Sequence, residues 1–140
     1  MFRPLPRYLP EPHMQALAAA PKASDPAGLR DTAIIAVIQA TGLRASEICG
    51  LQVRDVTRNL VFVRRGKGGG QRYVPLTAAA YTAVLAYLAA FPAPSAAPLF
   101  RTGPNQPITR RRLHKALAAY QRGLGLPTGV HLLRASFATL

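Results

Sequence analysis

The sequence predicts a mainly α-helical α+β fold that carries a small antiparallel β-hairpin. Three observations lead there. A chain of 140 residues that is 49% hydrophobic can bury one core but not two. Apolar residues recur at helical spacing on both sides of the chain's middle. Between those stretches, two β-prone runs flank a glycine-rich turn.

In chain order, residues 1–30 read as a lead-in linker, because Pro4, Pro6, Pro10, Pro12, Pro21 and Pro26 leave room for one short helix, around Met14 to Ala20. The domain proper is expected over residues 31–140. Asp31 is a good N-cap for an apolar helix over Thr32 to Ala40, with Ile34, Ile35, Val37 and Ile38, and Thr41-Gly42 should stop it. A further helix is expected at once, through Ala45-Ser46-Glu47-Ile48-Cys49. After Asp55, Leu60 to Arg64 and Gln71 to Pro75 form the hairpin strands around Gly66-Lys67-Gly68-Gly69-Gly70. Thr77 can cap the next helix, whose Tyr81, Val84, Leu85 and Leu88 share a face and are assigned to the core. Residues 91–107 read as a Pro-rich loop. Thr109 caps a helix with Leu113, Leu117, Tyr120 and Leu124 on one face and Arg110, Arg111, Arg112, His114, Lys115 and Arg122 on the others. Gly123 and Gly125 end it, and a last helix should begin near His131.

Charge narrows the partner. Lys and Arg number 18 against 5 Asp and Glu, a formal net charge of +13, with only 16% of residues charged. The chain is therefore a folded basic particle, not a disordered basic tail. A phosphate backbone is the commonest partner for such a surface, and an anionic membrane surface is the other candidate. The uncharged run from Tyr73 to Phe100 does not read as a span. Prolines at 75, 92, 94 and 98 confine its helical part to about 15 residues, roughly 23 Å, against the roughly 30 Å of a bilayer core. No secretory signal is expected at the N-terminus. The one cysteine, Cys49, cannot form an intramolecular disulfide, which fits a reducing compartment, and its apolar setting reads as inert packing.

Several residues could carry chemistry. Arg44 sits where one helix ends and the next begins, with Glu47 three residues on, where a carboxylate can hold a guanidinium in one rotamer. Taken alone, the pair is an ordinary cap and salt bridge. Lys67 at the glycine-rich tip reads alone as a solvated lysine. His131 and Arg134, at i and i+3 near a helix start, can point at one anion. The Arg110 to Arg112 cluster is either a solvated face or a phosphate contact, and the net charge favours the contact. No Cys/His set has zinc spacing, and no glycine-rich loop matches a nucleotide-binding fingerprint.

Three segments, taken in order, strongly resemble one family. They are Ala40-Thr41-Gly42-Leu43-Arg44-Ala45-Ser46-Glu47-Ile48, then Gly66-Lys67-Gly68 with Arg72-Tyr73-Val74-Pro75-Leu76, and then His131-Leu132-Leu133-Arg134-Ala135-Ser136-Phe137-Ala138-Thr139. The family is the tyrosine recombinases, or phage integrases, and the likeness is to their catalytic domain. Leu5-Pro6-Arg7-Tyr8-Leu9-Pro10 also looks like the family's linker into that domain.

The resemblance implies site-specific recombination or integration by tyrosine-type breakage and rejoining of double-stranded DNA, with no metal or other cofactor, no membrane and no small-molecule substrate. In this family a tyrosine attacks a phosphodiester and forms a 3′-phosphotyrosyl link. The catalytic residues implied are Arg44, Lys67, His131 and Arg134, with Glu47 in support. Lys67 would protonate the leaving 5′-oxygen, and the arginines and histidine would neutralise the phosphate. Arg72, Arg110, Arg111, Arg112 and Lys115 are the expected DNA contacts. A bacterial-type cytoplasmic, DNA-associated setting is implied, with other recombinase protomers as partners. These roles suit the chemistry, since a pentavalent phosphorane gains charge that fixed guanidinium forks answer without a metal.

The sequence departs from the family at two points. Ala135 stands where a histidine usually follows the arginine. The family's later histidine or tryptophan and its tyrosine nucleophile lie beyond Leu140, and the five tyrosines, at 8, 73, 81, 87 and 120, all precede His131. The expectation is a truncated catalytic domain that binds DNA but does not cleave it alone, unless another protomer supplies a tyrosine in trans. The alternatives are a non-catalytic DNA-binding module, or defective remnant, that uses the Arg110 to Arg122 helix in the major groove, and a general RNA-binding basic protein.

Overall fold

The computed structural model describes residues 9–22, 24–64 and 70–139. As expected, it is mostly helical with small antiparallel sheets. The helices are α1 (Glu11–Ala19), α2 (Pro26–Thr41), α3 (Ala45–Cys49), α4 (Ala78–Ala90), α5 (Arg110–Gly123) and α6 (Val130–Thr139). A short 3₁₀ turn, Val53–Asp55, follows α3. Strands β1 (Leu60–Val63) and β2 (Arg72–Pro75) pair antiparallel, as do β3 (Arg101–Gly103) and β4 (Gln106–Pro107).

Helix α2 is the central post. Ala33, Ile34, Ile35, Val37 and Ile38 are all buried, so it is apolar around most of its circumference and α1, α4, α5 and α6 all pack on it. It begins at Pro26, with Asp25 at the N-cap position and proline in the first turn, where its fixed φ is tolerated. Asp31, expected at the cap, therefore lies inside the helix. Its carboxylate is buried and matched. Arg30 Nε donates to Oδ1 at 3.0 Å, and the Tyr120 hydroxyl of α5 donates to Oδ2 at 2.6 Å. Burial, and next to it the Asp31 carboxylate, push the Tyr120 phenol well above its ordinary pKa.

The hairpin keeps the expected strands. Val61 and Val63 face the core, while Phe62 faces its cross-strand partner Tyr73 with ring centroids 5.0 Å apart. Helices α4 and α5 begin at the expected caps, Thr77 and Thr109, whose hydroxyls each accept a backbone N–H at 3.2 Å. Their inner faces are rotated from expectation. In α4 the buried residues are Ala80, Val84 and Tyr87, and Leu85 is 46% exposed. Every side of that helix is apolar, so the neighbours decide which side turns inward. In α5, Leu113 and Leu117 are buried as expected, but Leu124 is 41% exposed and Gln121 is fully buried. The Pro-rich loop contains the β3–β4 hairpin, turned at Asn105 with φ 56°. Among the described residues, no helix is long and apolar enough to cross a membrane.

Replacing Tyr120 with Phe deletes a donor to a buried carboxylate while keeping the ring. Urea unfolding should show a loss of about 1–3 kcal/mol. A loss below about 0.5 kcal/mol, the scatter of ordinary surface changes, would mean that this contact does not hold α5 to α2.

Candidate active site

The site begins at the α2–α3 turn. Gly42 is left-handed at φ 69°, a conformation open to glycine, and its N–H closes on Ile38 O at 2.8 Å. Thr41 fixes the same turn. Its hydroxyl donates to Val37 O at 2.6 Å and accepts from Leu43 N at 3.2 Å. The chain then places Arg44, exposed, at the N-cap position of α3.

Glu47 behaves differently from the expectation that it holds the Arg44 guanidinium. Glu47 Oε1 accepts the Arg44 backbone N–H at 2.9 Å, and the guanidinium it holds is that of Arg72 on β2. Arg72 Nη1 and Nη2 reach Oε2 and Oε1 at 2.9 and 3.2 Å, a two-pronged pair joining the hairpin to α3. Burial alone would raise the Glu47 carboxyl, but the bonds from Arg72 and from the Arg44 backbone outweigh it and hold the group below its usual range. The expected DNA contact Arg72 is thus fixed by a carboxylate inside the fold.

On the far side of the turn, Arg134 of α6 donates from Nε to Gly42 O at 2.9 Å. That bond leaves both Nη nitrogens for other partners. His131, one turn earlier in α6, is exposed. His131, Arg134, Gly129, Val130, Ala45 of α3 and His114 of α5 line one open depression of about 230 Å³, and among the described residues no carboxylate lies in its wall. Arg134 and His131 thus line the same depression, and the Gly42 bond places Arg134 beside the turn that carries Arg44. Lys67 lies outside the described residues. Arg110, Arg111, Arg112 and Lys115 form an exposed surface on α5 next to this depression. No tyrosine among the described residues lines it.

The approach to α6 depends on a residue that the sequence reading assigned no role. Gln121 clamps Gly129 from both sides, its Nε2 donating to Gly129 O at 3.2 Å and its Oε1 accepting Gly129 N–H at 3.0 Å. Gly129 O also accepts the N–H of Leu132 at 3.2 Å, which starts the helix. Gly129 has φ 131°, and a Cβ there would stand 2.5 Å from His131 Cε1. The His131 ring packs where only glycine leaves space. A buried glutamine on an otherwise apolar helix face was the available signal.

Cys49 is packed against the core, and burial pushes its thiol above the ordinary value, in keeping with inert packing.

This arrangement of helices and hairpins, with two arginine-bearing motifs meeting at a glycine turn, is the catalytic-domain fold of tyrosine recombinases. Residues 7–140 match the phage integrase family, and the chain belongs to it. A relative, tyrosine recombinase XerC of Rhodospirillum centenum, is 42% identical over 152 aligned positions, covering 98% of this chain and 42% of that protein. The crystal structure of XerA recombinase superposes with a TM-score of 0.81 at 26% identity, over 96% of this chain and 49% of that one. That of XerH site-specific recombinase, in a pre-cleavage complex with its difH substrate, gives 0.76 at 25% identity, over 97% and 42%. The chain spans about half the length of the proteins it matches.

The Glu47–Arg72 pair sets an acid limb to stability. Glu47 has a lowered pKa in the folded chain, so the pair's contribution is complete above the unfolded value of about 4.3 and fades as pH falls through the folded value. Arg72 is 44% exposed, so Arg72→Met should lose only about 0.5 kcal/mol at pH 7, with the gap to wild type narrowing as pH falls below the ordinary carboxylate range. A gap that stays constant across that range would contradict the pairing.

The Gly129 packing makes a second prediction. Gly129→Ala should shift the His131 imidazole signals in an NMR spectrum while those of the distant His13 stay in place. Unmoved His131 signals would mean that the ring is not packed over residue 129.

Proposed function

We propose that this chain provides the phosphate-binding half of a tyrosine-recombinase active site and binds double-stranded DNA through it, in site-specific recombination or integration. The observation that carries this reading is that Arg134 bonds Gly42 O in the turn that leads to Arg44 and shares with His131 a depression lined, among the described residues, by no acid. Arg44 and Arg134 would offer guanidinium forks to the non-bridging oxygens of one phosphodiester, where charge accumulates as the phosphorane forms. His131 would donate a hydrogen bond to the same group. Lys67 would protonate the leaving 5′-oxygen, a role that rests on the family resemblance alone. Glu47 supports from behind, by fixing the start of α3 and the Arg72 side chain.

Arg110, Arg111, Arg112 and Lys115 would contact neighbouring phosphates along the duplex, which sets position more than sequence. The attacking tyrosine is not among the residues gathered here, so the isolated chain would bind and not cleave. Other recombinase protomers are the natural partners, and one of them could supply the tyrosine in trans. Residues 1–30 would serve as the lead-in, and the setting would be the DNA-containing cytoplasm of a bacterial-type cell. The XerH complex, a related recombinase bound to its difH DNA substrate, supports this reading of partner and reaction class.

Fluorescence anisotropy with a labelled duplex tests the proposal. With about six phosphate contacts, log K should fall with log salt at a slope of about −5. Arg134→Ala should weaken binding by about tenfold or more, the worth of a lost charged hydrogen bond. A flat salt dependence, or equal affinity for single-stranded RNA, would overturn the phosphate-binding reading. A nicked suicide substrate should trap no covalent adduct with the isolated chain, and an adduct would show that one of its own tyrosines attacks.

A further inference from the structure

His114 belongs by sequence to the basic surface of α5, with the arginines and Lys115 around it. In the structure it also reaches the depression lined by His131 and Arg134. We infer that His114 is a second imidazole contact to the phosphate held there, so that two histidines from different helices close on one anion. The inference rests on the proposed phosphate site and adds a residue that the family motifs do not include.

Chemistry and size both support it. The side chains with polar atoms in the wall are His114, His131 and Arg134, all able to donate and none acidic. The remaining lining residues are Ala45, Gly129 and Val130, all small or apolar, so they offer an anion no competing charge. At about 230 Å³ and open to solvent, the depression is smaller than the enclosed pockets of about 300 Å³ or more that hold small molecules. A phosphodiester passing across its mouth fits better than a metabolite sealed inside. An imidazole also has two rotatable bonds, so it loses less freedom on contact than Lys115 or Arg111 would.

The surrounding charges leave the anion role open. On α3, Arg44 is exposed and the Glu47 carboxylate is already bonded to Arg72. On α2, Arg30 and Asp31 are bonded to each other, and Asp31 also to Tyr120. Helix α6 adds His131 and Arg134, and α5 itself adds Arg110, Arg111, Arg112, Lys115 and Arg122. The field at His114 is positive until DNA arrives. Binding a phosphate then favours proton uptake by both imidazoles, so affinity should rise as pH falls through the neutral range where histidine titrates.

The test compares wild type, His114→Gln, His131→Gln, the double variant and Lys115→Gln for duplex binding at pH 6 and pH 8 at one salt concentration. Wild type should bind about tenfold or more tightly at pH 6. Each histidine variant should lose about half of that gain on a logarithmic scale, and the double variant nearly all of it. Lys115→Gln should weaken binding by the same factor at both values. Titration with inorganic phosphate, followed by NMR, provides a second arm. The His114 and His131 Cε1–H signals should move together with one saturation constant, and Arg134→Ala should abolish both movements. If His114→Gln keeps the wild-type pH ratio, or only His131 responds to phosphate, the inference fails and the phosphate site stands. If wild type binds no duplex and neither signal moves, both fail.

Discussion

One hydrogen bond organises the site. Arg134 Nε donates to Gly42 O across 92 residues of sequence, and through it the last described helix is registered against the turn that ends the first long one. The acceptor is a carbonyl whose direction is set by a left-handed glycine, and that glycine is held by the two hydrogen bonds of the Thr41 hydroxyl. A side chain at position 42, in the left-handed region, would strain the turn that presents this carbonyl. Arg44 follows the same turn by two residues. The two arginine motifs are therefore placed relative to each other by backbone geometry, before any ligand is present. Preorganised charge of this kind needs no rearrangement when a phosphate gains negative charge in a transition state.

The second constraint is how the few acids are used. Three carboxylates are matched inside the fold, Asp31 with Arg30, Asp55 with Arg64 and Glu47 with Arg72. The Asp55 and Glu47 pairs tie separate elements together, whereas Arg30 and Asp31 are neighbours within α2 and it is Tyr120 that joins Asp31 to α5. Asp55 Oδ2, for example, accepts Gln52 N–H at 2.8 Å while its other oxygen takes Arg64. Glu11 and Asp25 are the remaining acids of the five, and both are exposed. Most of the 18 basic residues have no acid to meet within the chain. The excess positive charge is thus a property of the outer surface, above all of α5 and the depression beside it, and a polyanion is the partner that such a surface calls for.

What was legible in the sequence was local or carried by a motif. Gly42, Thr77 and Thr109 announced helix ends because caps and left-handed stops are made within a few residues. The β-prone runs Leu60 to Arg64 and Gln71 to Pro75 around a glycine-rich turn made the hairpin readable, but Leu60-Val61-Phe62-Val63 is apolar throughout and did not say which face turns inward. The motifs around Arg44 and Arg134 pointed to one site, and the fold brings them to one turn. What depended on distant partners could not be read. Asp31 looks like a cap until Tyr120, 89 residues away, is seen to donate to it. Glu47 looks like a partner for the Arg44 side chain until β2 delivers Arg72. Leu85 and Tyr87 both carry large hydrophobic side chains, and only packing chooses between them. Gln121 and His114 belong to α5 by sequence and to the α6 approach by structure, through contacts that no periodicity encodes.

The central claim is that the Gly42 carbonyl holds Arg134 in place before DNA binds. The most direct measurement is the ¹⁵N relaxation order parameter of the Arg134 Nε–H in the free chain, beside those of Arg110, Arg111 and Arg112. A fixed guanidinium predicts a value near the rigid-backbone range of about 0.85, with the α5 arginines below about 0.6. An Arg134 value as low as theirs would contradict the account, because the arginine would then be ordered only by its ligand.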